Sequence, residues 1–229
     1  MMKAAIFDLD GTILDSMDIW YDAASRYLRS IGTEPEEDLG SIIFTMTVEE
    51  AAAYAREHYG LCQTEQEITE GVLNILRNFY YEEVQPKEGA PAFLRMLCDQ
   101  GVSMAAATAG NRELAEAALR RLGLWNYFRG LLTCTEVGHG KHEPHIFLEA
   151  LDLLGTNPEE TCVFEDALYA LKTAKGIGCR TVGVKDEGSL KDQEQIRAVS
   201  DSYIESWEEA LICLERMEKD ENSTDDCRQ

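Results

Sequence analysis

The sequence predicts an α/β protein, in which a doubly wound parallel sheet is interrupted near its beginning by an all-helical insertion. From residue 87 onward, short apolar segments alternate with amphipathic ones, as is typical of βαβ units in a parallel, Rossmann-like sheet. Between residues 15 and 86, helical periodicity continues without an apolar strand. The expected units are a core (1–14 and 87–217), a helical insertion (15–86) and a flexible tail (218–229).

The first elements follow from short local patterns. The segment Lys3–Phe7 is apolar on both faces and predicts a buried strand. An amphipathic helix is predicted from Asp15 to Ile31, and Gly32 is a suitable residue to end it. Two capping boxes, Thr47-Val-Glu-Glu50 and Thr64-Glu-Gln-Glu67, begin two further helices. The insertion is therefore predicted to contain helices alone.

The remaining elements alternate between strand and helix. The predicted strands are Val102–Ala107, Leu131–Cys134, Cys162–Phe164 and Thr181–Val184. The predicted helices are Ala90–Asp99, Arg112–Leu122, Pro144–Leu154, Ala167–Lys175 and a last one that begins at Ser206. Because ligands of such sheets bind beyond the carboxyl ends of the strands, the residues after each strand are the first candidates for chemistry.

Two carboxylates follow the first strand in the run Asp8-Leu-Asp-Gly-Thr12. The two carboxylates can divide the chemistry between them, so that Asp8 faces a metal and a phosphorus atom while Asp10 faces a leaving group. Gly11 allows a sharp bend, and the Thr12 hydroxyl can fix the turn. Such a run is rare in a chain of this length and composition, which favours a catalytic role over an ordinary acidic turn.

Polar side chains also follow the next three strands. Thr108, with the backbone N–H of Ala109, precedes a predicted helix, and helix N-termini bind anions. Lys141 lies in a glycine-bracketed loop, where an ammonium can neutralise a phosphoryl oxygen. Glu165 and Asp166 offer oxygen ligands to a hard cation. Singly, these residues also fit a helix start, a solvated lysine and an N-cap. Together, at successive strand ends, they predict a site for phosphate and metal.

The sequence resembles the haloacid dehalogenase-like superfamily at its four motifs, which are Phe7-Asp-Leu-Asp-Gly-Thr12, Thr108, Lys141 and Glu165-Asp166. The helical insertion resembles that superfamily's first type of cap domain. The similarity is greatest to the branch that holds sugar-phosphate phosphatases and beta-phosphoglucomutase. The resemblance implies a phosphatase in which Asp8 accepts the phosphoryl group and Asp10 acts first as an acid and then as a base.

The resemblance also implies a cofactor and a set of binding residues. The residues it assigns to Mg²⁺ are Asp8, Asp10 through its backbone carbonyl, Asp166 and, beside them, Glu165. The residues it assigns to the phosphoryl oxygens are Thr108, Ala109 and Lys141. The candidates for substrate selection in the cap are Met17, Tyr21, Met46 and Val48.

The loop around Lys141 departs from the family pattern. Relatives carry Lys-Pro-x-Pro here, whereas this chain has Lys141-His-Glu-Pro144, so the position of the lysine is implied less firmly. The same loop contains His139, His142 and His145, whose spacing can suit zinc or nickel. Because no cysteine or fourth ligand lies close by in sequence, an electrostatic role beside phosphate is the simpler interpretation.

Charge and apolar content narrow the choice of partner and location. The net charge of −22 disfavours nucleic acid. The longest apolar runs, about six residues, are far shorter than a membrane span. The N-terminus runs into the first motif without a secretory apolar region. We therefore expect a cytoplasmic enzyme, a monomer or weak homodimer, that acts on a small phosphorylated molecule and binds neither nucleic acid nor membrane.

Four alternatives to a phosphatase share part of this pattern, and three of them are disfavoured by single features of the sequence. Dehalogenases and phosphonate hydrolases of the superfamily lack the second aspartate, and the latter carry a cap lysine, whereas Asp10 is present and residues 15–86 contain no lysine. A non-catalytic binding module is disfavoured because the catalytic set is complete. Fold analogy by itself does not settle function.

A mutase of the beta-phosphoglucomutase type is the strongest alternative. Mutases of this branch hold a second phosphate with a Lys-Gly-x-Ser-Arg run at a cap helix. Aligning that serine with Thr47 places Val48 at the arginine and Phe44 at the lysine. In addition, residues 15–86 carry four arginines against fifteen acidic residues. Such an acidic segment is poorly suited to a second phosphate, which favours the phosphatase.

Overall fold

The computed structural model describes residues 2–43 and 46–210. Within these residues the strands are β1 (Ala4–Phe7), β2 (Leu14–Asp15), β3 (Gln85–Pro86), β4 (Ser103–Thr108), β5 (Phe128–Thr133), β6 (Thr161–Glu165), β7 (Arg180–Val184) and β8 (Ser202–Ile204). The α-helices are α1 (Met17–Ser30), α2 (Leu39–Ile43), α3 (Val48–Tyr59), α4 (Glu65–Asn78), α5 (Ala90–Asp99), α6 (Arg112–Arg121), α7 (Cys134–Val137), α8 (His145–Leu154), α9 (Leu168–Gly176) and α10 (Gln193–Val199). A π-helical turn spans Phe79–Glu83.

Six strands form a parallel sheet in the order β5-β4-β1-β6-β7-β8. The chain fills the sheet from β1 toward β5 and then returns to the other side of β1 with β6. Ligands of doubly wound sheets bind at such a reversal of strand order. The central strand β1 is buried along its whole length, as its apolar sequence predicts. The structure confirms the predicted fold class.

Aromatic rings pack against the carboxyl end of β1. Phe7 stacks on Phe164 with ring centroids 4.7 Å apart and meets Phe93 edge-on at 6.3 Å. Trp207 lies 6.1 Å from Phe7, and its indole Nε1 donates a hydrogen bond of 3.2 Å to the carbonyl of Thr12. This packing fixes the strand end from which the first motif emerges.

The chain divides into two compact units, one comprising the residues up to Asp15 with those from Gln85 onward, and the other Ser16–Val84. The second unit is helical, and α3 and α4 both begin at capping boxes. Thr47 Oγ1 accepts a hydrogen bond of 3.2 Å from the N–H of Glu50, whose carboxylate accepts one of 2.8 Å from the N–H of Thr47. The same exchange occurs at the start of α4. Both capping boxes are confirmed.

The predicted bounds of β5 and the predicted start of the first helix were wrong. The strand β5 begins at Phe128 rather than Leu131, and Cys134 begins α7 instead of ending the strand. Because β5 is an edge strand, it tolerates Arg129 and Gly130, which broke the apolar pattern. Residue 15 was also assigned to helix, but the main sheet is accompanied by a two-stranded ribbon of β2 and β3, in which Asp15 pairs with Gln85.

Several elements were not predicted, and some predictions fall outside the described residues. The strand β8 and the helices α2 and α10 are short, and their sequences have no long apolar period. Residues 207–210 are helical, in agreement with a helix that begins at Ser206, but its remainder lies outside the described residues. Phe44 and the predicted tail at 218–229 lie outside them as well. None of the described helices has the length and apolar character needed to cross a bilayer.

Candidate active site

The register of the parallel sheet brings three strand ends to one edge. Phe7 is paired with Ala106 of β4 on one side and with Phe164 of β6 on the other. The next residue, Asp8, is held by its backbone N–H, which donates 3.0 Å to the carbonyl of Phe164. Asp8 therefore leaves the sheet at the level of Glu165 and close to Thr108, which ends β4.

Lys141 reaches into this edge from the loop between α7 and α8. It is buried, and its Nζ donates hydrogen bonds to Asp8 Oδ1 and, at 2.6 Å, to Glu165 Oε2. Burial alone lowers the pKa of Lys141, but the charges of Asp8 and Glu165 outweigh it and hold that pKa above the ordinary value. The side chain therefore remains an ammonium. The departure from Lys-Pro-x-Pro has not displaced the lysine from the strand ends.

Three buried carboxylates surround that ammonium. Ligand oxygens of Asp8, Glu165 and Asp166 lie within 4.8 Å of one another. Burial, followed by the charge of Asp8, raises the pKa of Glu165 to about 7. Burial and the charge of Glu165 likewise raise the pKa of Asp166 well above its usual range. Three carboxylates against one ammonium leave excess negative charge in a buried place, and a divalent cation would offset it.

The oxygen atoms of this cluster fit a hard cation. Adjacent ligands of an octahedral Mg²⁺ ion are about 3 Å apart and opposite ones about 4.2 Å, which is within the spacing of the cluster. Glu165 already uses both oxygens, since Oε2 binds Lys141 and Oε1 accepts 3.1 Å from the N–H of Ala167. Asp166 Oδ1 accepts a hydrogen bond of 3.0 Å from Thr12 Oγ1, which orients its carboxylate. Asp8 and Asp166 are therefore better placed than Glu165 for direct coordination.

Asp10 lies beside the loop that follows β4. Gly11 has a φ of +82°, and its N–H donates 3.0 Å to the carbonyl of Leu14, so the chain turns tightly after Asp10. A methyl group at Gly110 would lie 2.8 Å from Asp10 Oδ2 and 3.1 Å from Thr108 Oγ1. The two motifs thus approach each other closely, and Gly110 provides the space between them.

The loop after β4 has the features of an anion site. Thr108 is buried, and its Oγ1 accepts a hydrogen bond of 2.8 Å from the N–H of Gly110. Ala109 is exposed at the turn. Asn111 caps α6 by accepting from the N–H of Glu113 at 2.8 Å, so the helix begins directly at this loop. A hydroxyl next to a helix N-terminus suits a phosphoryl oxygen.

A fourth carboxylate and its partner were not predicted from the sequence. Asp186 follows β7 and is buried, and its Oδ2 lies 2.8 Å from Lys87 Nζ. Lys87 also donates 2.6 Å to the carbonyl of Lys185. The charge of Asp186 contributes to the raised pKa of Asp166, although it is not the main cause. The sequence did contain a signal for Asp186, because it closely follows a strand, and carboxylates after strands were the reason for selecting Asp8 and Asp166.

The predicted specificity residues belong to the helical unit. Met17 and Tyr21 lie in α1, Met46 precedes α3, and Val48 begins it. The carbonyl of Tyr21 would lie 2.2 Å from a methyl group at Gly40, so α1 and α2 pack closely. The role of these four residues stays a prediction.

The chain is similar to known hydrolases and phosphatases over most of its length. Residues 2–178 match the model of the haloacid dehalogenase-like hydrolases. A phosphorylated carbohydrates phosphatase of Thermotoga maritima is 28% identical over 217 residues, which is 94% of this chain and 100% of the relative. Hexitol phosphatase A of Escherichia coli is 31% identical over 191 residues, 80% of this chain and 82% of the relative.

Relatives of the mutase type are similar as well. A beta-phosphoglucomutase of Bacillus subtilis is 26% identical over 221 residues, 92% of this chain and 98% of the relative. Among solved structures, a Thermotoga maritima protein described as a candidate beta-phosphoglucomutase has a TM-score of 0.82 at 27% identity. That likeness covers 94% of this chain and 99% of the solved one.

Proposed function

Because the chain belongs to the haloacid dehalogenase-like hydrolase family, we propose that it is a Mg²⁺-dependent phosphatase of small phosphorylated metabolites, such as sugar phosphates. The observation that carries the proposal is the buried contact of Lys141 with Asp8, beside Asp166. It combines a carboxylate nucleophile, a cation for the phosphoryl oxygens and ligands for a metal. The names of two relatives, a phosphorylated carbohydrates phosphatase and a hexitol phosphatase, support a sugar phosphate as the substrate class.

We assign the covalent step to Asp8 and proton transfer to Asp10. An oxygen of Asp8 attacks phosphorus, the bond from phosphorus to the substrate oxygen breaks, and the carboxyl of Asp10 protonates the leaving alcohol. In the second half, Asp10 takes a proton from water, whose oxygen attacks the aspartyl-phosphate and releases inorganic phosphate with Asp8 restored. The position of Asp10 beside Gly110, at the second strand end, supports a role separate from that of Asp8.

Charge neutralisation is assigned to Lys141 and Thr108. An ammonium has three N–H donors, so Lys141 can bind a phosphoryl oxygen in addition to Asp8 and Glu165. The Thr108 hydroxyl accepts from Gly110 and retains its own O–H for donation to the phosphoryl group, next to the N–H of Ala109. Phosphoryl transfer depends mainly on such positioning and electrostatic stabilisation.

Asp8, Asp166 and the backbone carbonyl of Asp10 would hold Mg²⁺, with Glu165 alongside. A bound Mg²⁺ would reduce the repulsion between the carboxylate nucleophile and the anionic phosphate. The hydrogen bond from Thr12 orients the carboxylate of Asp166, and the negative charge of Asp186 makes a bound cation beside it more favourable.

A mutase is the second candidate, because a beta-phosphoglucomutase is among the relatives. The arginines of the helical unit argue against it, since each one has a partner there. Arg26 binds Asp22 at 2.8 Å and Glu83 at 2.7 Å, and Arg29 lies 3.4 Å from Asp22. The remaining pairs are Arg56 with Glu65 at 3.4 Å and Arg77 with Asn74 at 2.9 Å. Three of the four arginines, all but Arg77, are thus engaged by carboxylates, which makes them poor ligands for a distal phosphate.

A substrate screen tests the proposal. The protein is incubated with Mg²⁺ and a panel of sugar phosphates, polyol phosphates and other phosphomonoesters, and inorganic phosphate is measured with and without excess chelator. We expect Mg²⁺-dependent release from one chemical class. The absence of release from every compound would contradict the phosphatase assignment.

A second assay separates phosphatase from mutase. The enzyme receives beta-glucose 1-phosphate, Mg²⁺ and a catalytic amount of glucose 1,6-bisphosphate, and both glucose 6-phosphate and free phosphate are followed. The phosphatase assignment predicts that any turnover releases phosphate. Efficient formation of glucose 6-phosphate with little free phosphate would establish the mutase instead.

A further inference from the structure

A second group of metal-ligating side chains lies outside the catalytic cluster, in and next to the loop between α7 and α8. His139, Glu143 and His145 each turn one ligand atom toward the others, all within 4.8 Å. Glu143 Oε2 lies 3.2 Å from Nδ1 of His139 and 3.7 Å from Nδ1 of His145. The two imidazole rings stack with centroids 3.8 Å apart and planes 11° from parallel. One carboxylate oxygen therefore faces two imidazole nitrogens.

The spacing of these atoms suits a tetrahedral ion. Two ligands bonded at about 2.1 Å in a tetrahedron are about 3.4 Å apart. The two nitrogen-to-oxygen distances in this group, 3.2 Å and 3.7 Å, lie on either side of that value. The side chains are 41%, 56% and 45% exposed for His139, Glu143 and His145, so an ion and a water ligand can reach them. Since both rings are about half exposed, turning them from the stack toward one ion displaces little packing.

We propose that His139, Glu143 and His145 form a binding site for a divalent transition-metal ion of the zinc type, with water as the fourth ligand. Two nitrogens and one oxygen select such an ion over Mg²⁺, which prefers an octahedron of oxygens. The site is separate from the all-oxygen cluster of Asp8, Glu165 and Asp166, and it does not depend on the function proposed above.

The third histidine of the loop is not part of this site. The ring of His142 stacks on Tyr169 at 4.1 Å. His139 precedes Lys141 by two positions and Glu143 follows it by two, so an ion held by both would link the two sides of the loop that carries the buried lysine. Metal binding is therefore expected to reduce the motion of this loop.

Cobalt titration tests the site with a spectroscopic readout that does not depend on activity. Untagged, reduced protein is titrated with Co²⁺ in a large excess of Mg²⁺, which competes with Co²⁺ for sites built from oxygen ligands alone. Tetrahedral Co²⁺ absorbs visible light much more strongly than octahedral Co²⁺, and thiolate ligands add charge-transfer bands in the near ultraviolet. We expect one tetrahedral Co²⁺ per chain, without thiolate bands, displaced by Zn²⁺.

Matched variants locate the bound ion. His139→Ala and His145→Ala should each abolish the tetrahedral absorption, and Glu143→Gln should weaken it. His142→Ala, in the same loop, and His58→Ala, in the helical unit, should leave it unchanged. Circular dichroism of the metal-free variants checks their fold, which these exposed positions should not disturb. Absorption that is missing in the wild type, that persists in a His139→Ala/His145→Ala double variant, or that carries thiolate bands would overturn the proposal.

Discussion

Lys141 and Asp8 form a buried ion pair although 133 positions separate them in the chain. The pair joins the loop after α7 to the end of the central strand. Glu165 binds the same ammonium, so a buried positive charge is offset by two carboxylates. Removing one partner of a buried ion pair typically costs on the order of 3–5 kcal/mol, because the remaining charge is left buried and unpaired. The folded chain therefore holds a cation next to its proposed nucleophile before any substrate binds.

The raised pKa of Glu165 predicts a specific pH dependence of stability. Its folded-state pKa, about 7, lies above the ordinary value of 4.5. Between these values the folded protein binds more protons than the unfolded chain, so stability falls as pH rises through this window. In the metal-free protein, we expect Glu165 to contribute a loss of up to about 3 kcal/mol in the free energy of unfolding.

The measurement compares wild type with Glu165→Gln, whose amide does not titrate. Urea unfolding in excess chelator at about pH 5 and about pH 7.5 gives, for each protein, the slope of the free energy of unfolding against pH. The difference between the two slopes isolates Glu165 from the many surface carboxylates. Parallel slopes would show that Glu165 ionises normally in the folded state.

Gly110 predicts an effect on catalysis through Asp10. In Gly110→Ala, the new methyl group would lie 2.8 Å from Asp10 Oδ2, and the carboxylate must move. We expect kcat to fall by about ten- to a hundredfold, because small displacements of a proton-transfer group are costly. The matched control is Gly176→Ala, where a methyl group meets nothing within 4 Å. Equal kcat values for the two variants would contradict the close approach of the two motifs.

Removal of divalent ions should stop turnover. In excess chelator the enzyme is expected to lose activity and to regain it when Mg²⁺ is added, because the carboxylates around Asp8 repel an anionic substrate. Calcium should inhibit, since it imposes a looser coordination than Mg²⁺. Circular dichroism in chelator serves as the control for unfolding. Full activity in chelator would exclude a metal-dependent mechanism.

Local sequence patterns predicted the strands of the core and placed their carboxyl ends to within one residue. The apolar segment before Asp8 predicted a buried strand, and two capping boxes predicted the starts of α3 and α4. The strand β8 was not predicted, because it has only three residues, one of them Ser202, and lies at the sheet edge. Edge strands need no continuous apolar pattern, since one side faces solvent.

Contacts within the site were less accessible to sequence reasoning. Thr12 was expected to stabilise its own turn, but its hydroxyl binds Asp166, 154 positions away. The pair of Lys87 and Asp186 was missed for the same reason, because its partners come from different strand connections. The order of strands in the sheet decides such contacts, and it depends on tertiary packing rather than on local periodicity.

The most direct test of the account is the turnover of Asp8→Asn in the presence of Mg²⁺. The amide has nearly the same shape as the carboxylate but is a far poorer nucleophile and metal ligand. Asp99→Asn makes the same change at a side chain that is 74% exposed and serves as the matched control. We expect Asp8→Asn to fold normally and to lose more than about 99% of kcat, roughly 2.7 kcal/mol in the barrier, while Asp99→Asn keeps full activity. A folded Asp8→Asn enzyme that retains more than about 1% of the wild-type kcat, which corresponds to roughly 2.7 kcal/mol in the barrier, would show that Asp8 is not the nucleophile.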